Sequence, residues 1–155
     1  MDIKRKPRIF IAEDLVINSW EDISNYFEQL LSEEINSIDE FKLWLRKNSE
    51  LEAVLEEDMA WRYIKMTINT ADEEAANRYK TFVTEINPKI SEMSNQLNQK
   101  LADSDFKSAL TDEADIIYLK KVQSAIDLFR EENIPLASEA QTKAQEYSGV
   151  IGAQL

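Results

Sequence analysis

The chain has 155 residues, 43% of them hydrophobic, with two glycines, three prolines, no cysteine, no histidine and a formal charge of −12. That length holds one domain with a real core, and the scarcity of Gly and Pro favours helical hairpins over sheets and their turns. Lacking Cys and His, the chain cannot form disulfides, thiolate sites, His-based triads or the common zinc and carboxylate-bridged di-iron sites; its acidity argues against nucleic acid and anionic membranes as partners.

Residues 1–18 are predicted to form an extended arm, anchored by Ile9, Phe10 and Ile11. Its basic cluster, Lys4, Arg5, Lys6 and Arg8, is expected to pair with the acidic helices of the same molecule. No apolar h-region follows that cluster, because Glu13 and Asp14 interrupt it, and no long apolar run occurs elsewhere. A cytoplasmic protein without signal peptide or membrane span is expected.

From residue 19 to 155 the pattern is that of a helical lobe. A hydroxyl followed three residues later by an acid marks a helix start, since the pair satisfies orphan N–H groups and complements the positive helix end. Ser19/Asp22, Ser37/Glu40, Ser49/Glu52 and Thr70/Glu73 fit this signature, and Thr111 before Asp112 and Glu113 is a looser version. Trp20, Tyr26 and Phe27, then Phe41 and Trp44, supply core aromatics for the first two helices. The stretch 50–69 carries two apolar stripes. Leu51, Val54, Leu55, Met59 and Met66 form one; Ala53, Ala60, Trp61, Ile64 and Ile68 form the other. Two apolar faces predict a helix at the centre of the bundle.

Ala75, Tyr79, Phe82, Ile86, Ile90, Met93, Leu97 and Leu101 form one continuous stripe. A straight helix over 71–102 would be ~48 Å long. A compact chain of this size is only roughly 40 Å across. Either the molecule is elongated or the helix bends, and Pro88, which removes the N–H that would reach the Thr84 carbonyl, predicts a kink. Asn133-Ile134-Pro135 ends one helix and opens another. The last helix carries the stripe Leu136, Ala140, Ala144, Tyr147 and Ile151, whose small residues would allow close helix approach. The stripe continues to Leu155 without a capping signal, which suggests a cut chain. The expected fold is an all-α bundle of about six helices, with one long helix kinked near Pro88.

Few residues suggest chemistry. No calcium loop or glycine-rich phosphate cradle is present. The carboxylate clusters Glu33-Glu34, Glu56-Glu57-Asp58, Glu73-Glu74 and Glu131-Glu132 are read as solvated helix faces. The candidate site is Asp58, Trp61, Arg62 and Tyr63. Asp58 and Arg62 are spaced to share one helix face, either as an internal ion pair fixing helix register or as a guanidinium aimed at a peptide carboxylate. Trp61 and Tyr63 would be core aromatics in the first case and groove walls in the second.

Three stretches carry a family resemblance: Trp20-Glu21-Asp22-Ile23 through Tyr26-Phe27-Glu28-Gln29-Leu30, Ser49 through Ile64, and Leu128-Phe129-Arg130-Glu131-Glu132-Asn133-Ile134-Pro135-Leu136. Together they resemble the N-terminal helical region of oligoendopeptidase F-like zinc peptidases, relatives of thimet oligopeptidase, from about Lys6 onward. The resemblance implies an all-α, two-lobed parent enzyme closing around a deep channel, with zinc on an H-E-x-x-H helix and a later Glu. No residue here matches those elements, so no catalytic or metal position carries over. It implies that this chain alone is no enzyme and holds no cofactor, while the parent holds zinc. Its partners would be the C-terminal catalytic half of the same polypeptide and short peptide substrates. Self-association through Tyr147, Val150 and Ile151 is also expected. The alternative is a free-standing helical interaction or scaffold module without enzymatic activity.

Overall fold

The Ser37 signature is realised as written: the Glu40 N–H donates to Ser37 Oγ at 3.2 Å, and the Glu40 carboxylate accepts from the Asn36 N–H at 2.7 Å. In a computed structural model, which describes residues 7–152, the elements run α1 (Glu21–Ser32), α2 (Ile38–Ile68), α3 (Glu73–Thr81), a π-helical turn (Phe82–Ile86), α4 (Asn87–Asp103), a 3₁₀ turn (Asp105–Ala109), α5 (Glu113–Leu128) and α6 (Asn133–Gly152). Lys4, Arg5 and Lys6 lie outside the described residues. The fold is all-helical, as the composition and periodicity predict, and no strand occurs among the described residues. α4 is the hub. It packs against α1, α5 and α6, while α2 packs against α1 and α3.

Several predicted starts move. Ser49 begins nothing: α2 runs through it, because Phe41, Trp44, Asn48, Leu51 and Leu55 are one buried row and Ser49 lies on the exposed side. Asp72, not Thr70, caps α3, its carboxylate accepting from the Ala75 N–H at 2.9 Å. α1 starts after Trp20, and Asp22 accepts from the N–H groups of Asn18 and Ser19, both at 2.8 Å. α5 follows Asp112 without a side-chain cap, and it ends at Leu128, before Asn133. The second stripe of α2 does not make a central helix. Ala53, Ala60, Trp61, Ile64 and Ile68 are all exposed, so this helix buries one face only.

The long stripe is correct, and the helix changes geometry ahead of Pro88. Tyr79, Phe82, Ile86, Leu97 and Leu101 are buried on one side. The departure from α geometry falls one turn before Pro88, in the π-turn, where the Asn87 N–H donates to the Phe82 carbonyl five residues back. Pro88 explains it. A residue that cannot donate leaves the preceding turn to re-pair one residue wider.

The C-terminal end of α1 has no basic residue of its own. Other helices supply the donors. Lys100 of α4 gives its ammonium to the carbonyls of Leu30 (2.7 Å), Leu31 (3.0 Å) and Glu33 (2.5 Å), and the Trp44 indole of α2 donates to Leu30 at 2.9 Å. Burial pushes the Lys100 pKa down, against the pull of Glu33. A cation at this end also complements the helix dipole.

The arm is pinned by a carboxylate. Glu50, in mid-α2, accepts from the N–H groups of Ile9 (3.0 Å), Phe10 (3.0 Å) and Ile11 (2.7 Å). Ile11 and Ile17 are the buried anchors and Ile9 is exposed, while Phe10 meets the Tyr26 ring edge-on at 5.3 Å. Arg8 turns back on the arm, donating to the Ala12 carbonyl at 2.8 Å.

Two predictions follow from these anchors. Lys100→Met removes three charge-assisted bonds and is expected to cost about 1.5–3 kcal/mol, read by urea unfolding of the two proteins. Glu50 concerns pH. Burial raises its pKa, yet the three N–H donors and Arg8 outweigh it, so the folded value lies below the ordinary 4.5. A depressed carboxylate pKa adds stability above the unfolded value, lost as pH falls through the folded one. Wild type should therefore lose stability below about pH 4.5 more steeply than Glu50→Gln; parallel acid limbs in thermal melts would refute this.

Candidate functional site

Asp58 and Arg62 sit one turn apart on α2, and the sequence spacing does bring them together. Arg62 Nε donates to Asp58 Oδ2 at 2.5 Å, and Nη2 reaches Asp58 Oδ1 at 3.4 Å. The same guanidinium donates to the Ile17 carbonyl in the arm and to the Arg78 carbonyl in α3 at 3.3 Å. Its carbon lies 4.9 Å from the Phe82 ring centre at the head of the π-turn. One side chain thus ties the arm, α2, α3 and the π-turn. Its fork of donors is spent on the molecule itself, and its side chain is 16% exposed. The geometry matches an internal clamp better than a receptor for a foreign carboxylate.

Around the clamp lies a groove of about 640 Å³ between the arm, α2 and α3. Val16, Trp61, Lys65 and Arg78 line it beside Asp58 and Arg62. Trp61 is 53% exposed and Val16 66%, so one wall is apolar and open. Arg78 is paired with Glu74 at 2.6 Å in solvent. Tyr63 does not join them. It sits on the other side of α2, half-exposed, with its ring 6.0 Å from that of Tyr79. The four residues singled out from sequence therefore divide: Asp58, Trp61 and Arg62 share the groove, and Tyr63 leaves it. Neither aromatic is core.

A second cavity of about 530 Å³ opens between the C-terminal ends of α2 and α6 and the outer side of α3, with Met66, Ala76, Tyr147 and Ile151 in its walls. Tight packing closes one end, where a methyl group on Gly152 would meet Thr70 Cγ2 at 2.7 Å.

Sequence reasoning missed one polar cluster. Asn48 is buried and donates to Glu52 at 3.1 Å, at the contact of α2 with Tyr118 of α5. Burial pushes the Glu52 carboxyl up, and burial with the neighbouring Glu52 charge pushes the Tyr118 phenol up to about 12. The only signal was an asparagine standing at a core position of the Phe41–Leu55 row. Among the described residues no three His, Cys, Asp or Glu side chains converge as a metal site would require.

Arg62→Met should destabilise the chain by about 2–4 kcal/mol, since one carboxylate and two carbonyls lose their donor at once. Asp58→Asn should cost less, because Arg62 keeps both carbonyls, and a double-mutant cycle measured by urea unfolding isolates the pair. A peptide-facing Arg62 would behave otherwise, with stability unchanged in both variants.

Comparison with curated proteins and with solved structures gives no match. The family model of the Peptidase M3 N-terminal domain matches residues 13–129, from within the arm to the residue after α5. With three-quarters of its length matched and an all-helical fold, the chain belongs to the Peptidase M3 N-terminal domain family.

Proposed function

We propose that this chain is the N-terminal lobe of a zinc-dependent oligoendopeptidase, acting in the cytoplasm, and that it walls the channel through which short peptides reach a catalytic half. The observation that carries the reading is the family match over 13–129. The exposed row Ala53, Ala60, Trp61, Ile64 and Ile68 adds to it. A helix that is apolar outward as well as inward is built to face more than water. On this reading the outer side of α2, with the Trp61 groove at one end, faces the peptide channel or the catalytic half.

The residues of this chain do not fit the zinc that such an enzyme uses. There is no His or Cys, and no carboxylate trio converges among the described residues. The metal belongs to the H-E-x-x-H helix of the catalytic half. What the lobe contributes is shape: it admits flexible peptides, keeps out folded proteins, and moves as a lid if the two halves close. Acidic walls bias entry towards basic peptides and away from nucleic acid and anionic membranes. No described helix is long and apolar enough to cross a membrane.

A second reading, a free-standing helical interaction module, is favoured by α6, whose Leu136, Tyr147, Val150 and Ile151 are exposed. The two separate at the gene. The lobe reading expects the native frame to continue past codon 155 to an H-E-x-x-H motif, and a stop codon directly after Leu155 would sink it. Biochemically, the purified chain with zinc and a quenched fluorescent peptide should show no turnover; chelator-sensitive cleavage would overturn the assignment of catalysis to another segment.

A further inference from the structure

α5 is thinly seated. Val122 is its single buried residue, and Tyr118, Leu119 and Ile126 lie partly buried against the core. These side chains rest chiefly on α4. Towards α2 the contact is polar. Asn48, 2% exposed, stands in the buried row of α2 where an apolar residue would be expected. Its amide Nδ2 donates to Glu52 Oε1 at 3.1 Å, and its side chain also meets the Tyr118 phenol of α5.

Glu52 is poorly provided for as an anion. A carboxylate offers roughly four acceptor positions, and a neutral amide is the side-chain donor it has among the described residues. The titratable groups that face it come from two elements. Glu56 of α2 repels its charge; Lys121 of α5 attracts it without closing an ion pair; Tyr118 of α5 stays a neutral phenol beside it. No charged group of α4 acts on it. An ionised carboxylate drawn out of water without a close cation is costly, and the cost disappears when the group takes up a proton or returns to solvent. Lifting α5 away is the motion that returns it to solvent.

We propose that Asn48, Glu52 and Tyr118 form a proton-controlled latch for α5, tight when Glu52 carries a proton and loose when it does not. The sign follows from burial. Desolvation outweighs the Asn48 bond and Lys121, so the folded pKa of Glu52 lies above the ordinary 4.5. A raised carboxyl pKa adds stability as pH falls through the folded value, and the gain is complete below the unfolded one. Glu50, two residues away, has the opposite sign, since its pKa is lowered and its contribution is lost in acid. The latch therefore tightens above the acid range in which Glu50 fails. At neutral pH α5 opens as a unit of its own, before the rest of the bundle.

Amide exchange of the full chain, followed by NMR and divided by the intrinsic rate at each pH, tests this. At about pH 8 the α5 amides should exchange at least roughly tenfold faster than those of α2 and α4 that flank them. Their protection should rise about three- to tenfold between pH 8 and pH 5, and Glu52→Gln should be protected at both and show no rise. Two exposed neighbours move the midpoint in opposite directions. Lys121→Met, which removes an attraction, should shift the rise to higher pH, and Glu56→Gln, which removes a repulsion, should shift it lower. Protection of α5 equal to that of α2 and α4 at pH 8 would overturn the separate opening. A rise that persists in Glu52→Gln, no rise in wild type, or a midpoint indifferent to both neighbours would overturn the assignment to Glu52. None of these outcomes depends on the peptidase reading, which the gene test decides separately.

Discussion

A missing proton donor at Pro88 shapes half of this molecule. In an α-helix the Val83 carbonyl would accept from Asn87 and the Thr84 carbonyl from position 88. Position 88 has no N–H, and Asn87 donates instead to Phe82 in the π-turn. The Val83 carbonyl is then passed over: its i+4 donor is engaged elsewhere and its i+5 residue is the proline. Ser138 of α6 fills that place at 2.8 Å. A buried carbonyl is costly to leave unpaired, so the element laid over the π-turn needed a polar inner side. α6 supplies one, and its apolar residues are left facing out. The π-turn and the polar inner side of α6 meet at this one bond.

The same turn is fastened from the other side. Phe82, its first residue, lies under the Arg62 guanidinium, which also holds Asp58, Ile17 and the end of α3. A planar fork of donors suits this task and an ammonium would not, because several acceptors in different directions must be met by one rigid group. The groove beside Trp61 inherits its shape from the clamp. Its floor is fixed by Arg62, whereas Trp61 and Val16 stand exposed on its rim, so any occupant would meet a set geometry with an adaptable apolar edge.

The parts of this fold legible from sequence were those set by local rules. The Ser37 cap, the long stripe from Tyr79 to Leu101 and the core aromatics Phe27, Phe41 and Trp44 all follow from neighbours within a turn or two. Two readings failed for one reason: the deciding partner was distant. Ser49 and Glu52 imitate a helix start, but Trp44, Asn48, Leu51 and Leu55 continue a single buried row past them. Asn48 disguises that row by being polar. Apolar residues on a second face of α2 were expected to point inward, which is the common case. Nothing within α2 or α6 reveals that Glu50 is needed by the arm or Ser138 by the Val83 carbonyl. Of the four site residues, the Asp58–Arg62 pair was readable from spacing, and the separation of Trp61 from Tyr63 depended on where the arm and α3 came to lie.

Acid excess also explains how the cations are spent. With 18 basic against 30 acidic side chains, random pairing would place most Lys and Arg beside carboxylates. The half-buried ones turn chiefly to carbonyls. Lys100 closes the end of α1, and Arg62 gives two of its bonds to backbone oxygens. Lys47, reaching from α2 to Glu33 at 2.9 Å, lies over the Phe10 ring. The exposed pairs Glu74–Arg78 and Glu139–Lys143 are one-turn helix pairs of small worth. Bonds to carbonyls are short-ranged and sheltered, so salt weakens them little, while the repulsion among a dozen excess negative charges is long-ranged and salt removes it. The attractive electrostatics of this fold thus lie where ions do not reach, and its repulsive electrostatics where they do. Added salt should therefore leave the bundle intact while letting acidic surfaces approach one another.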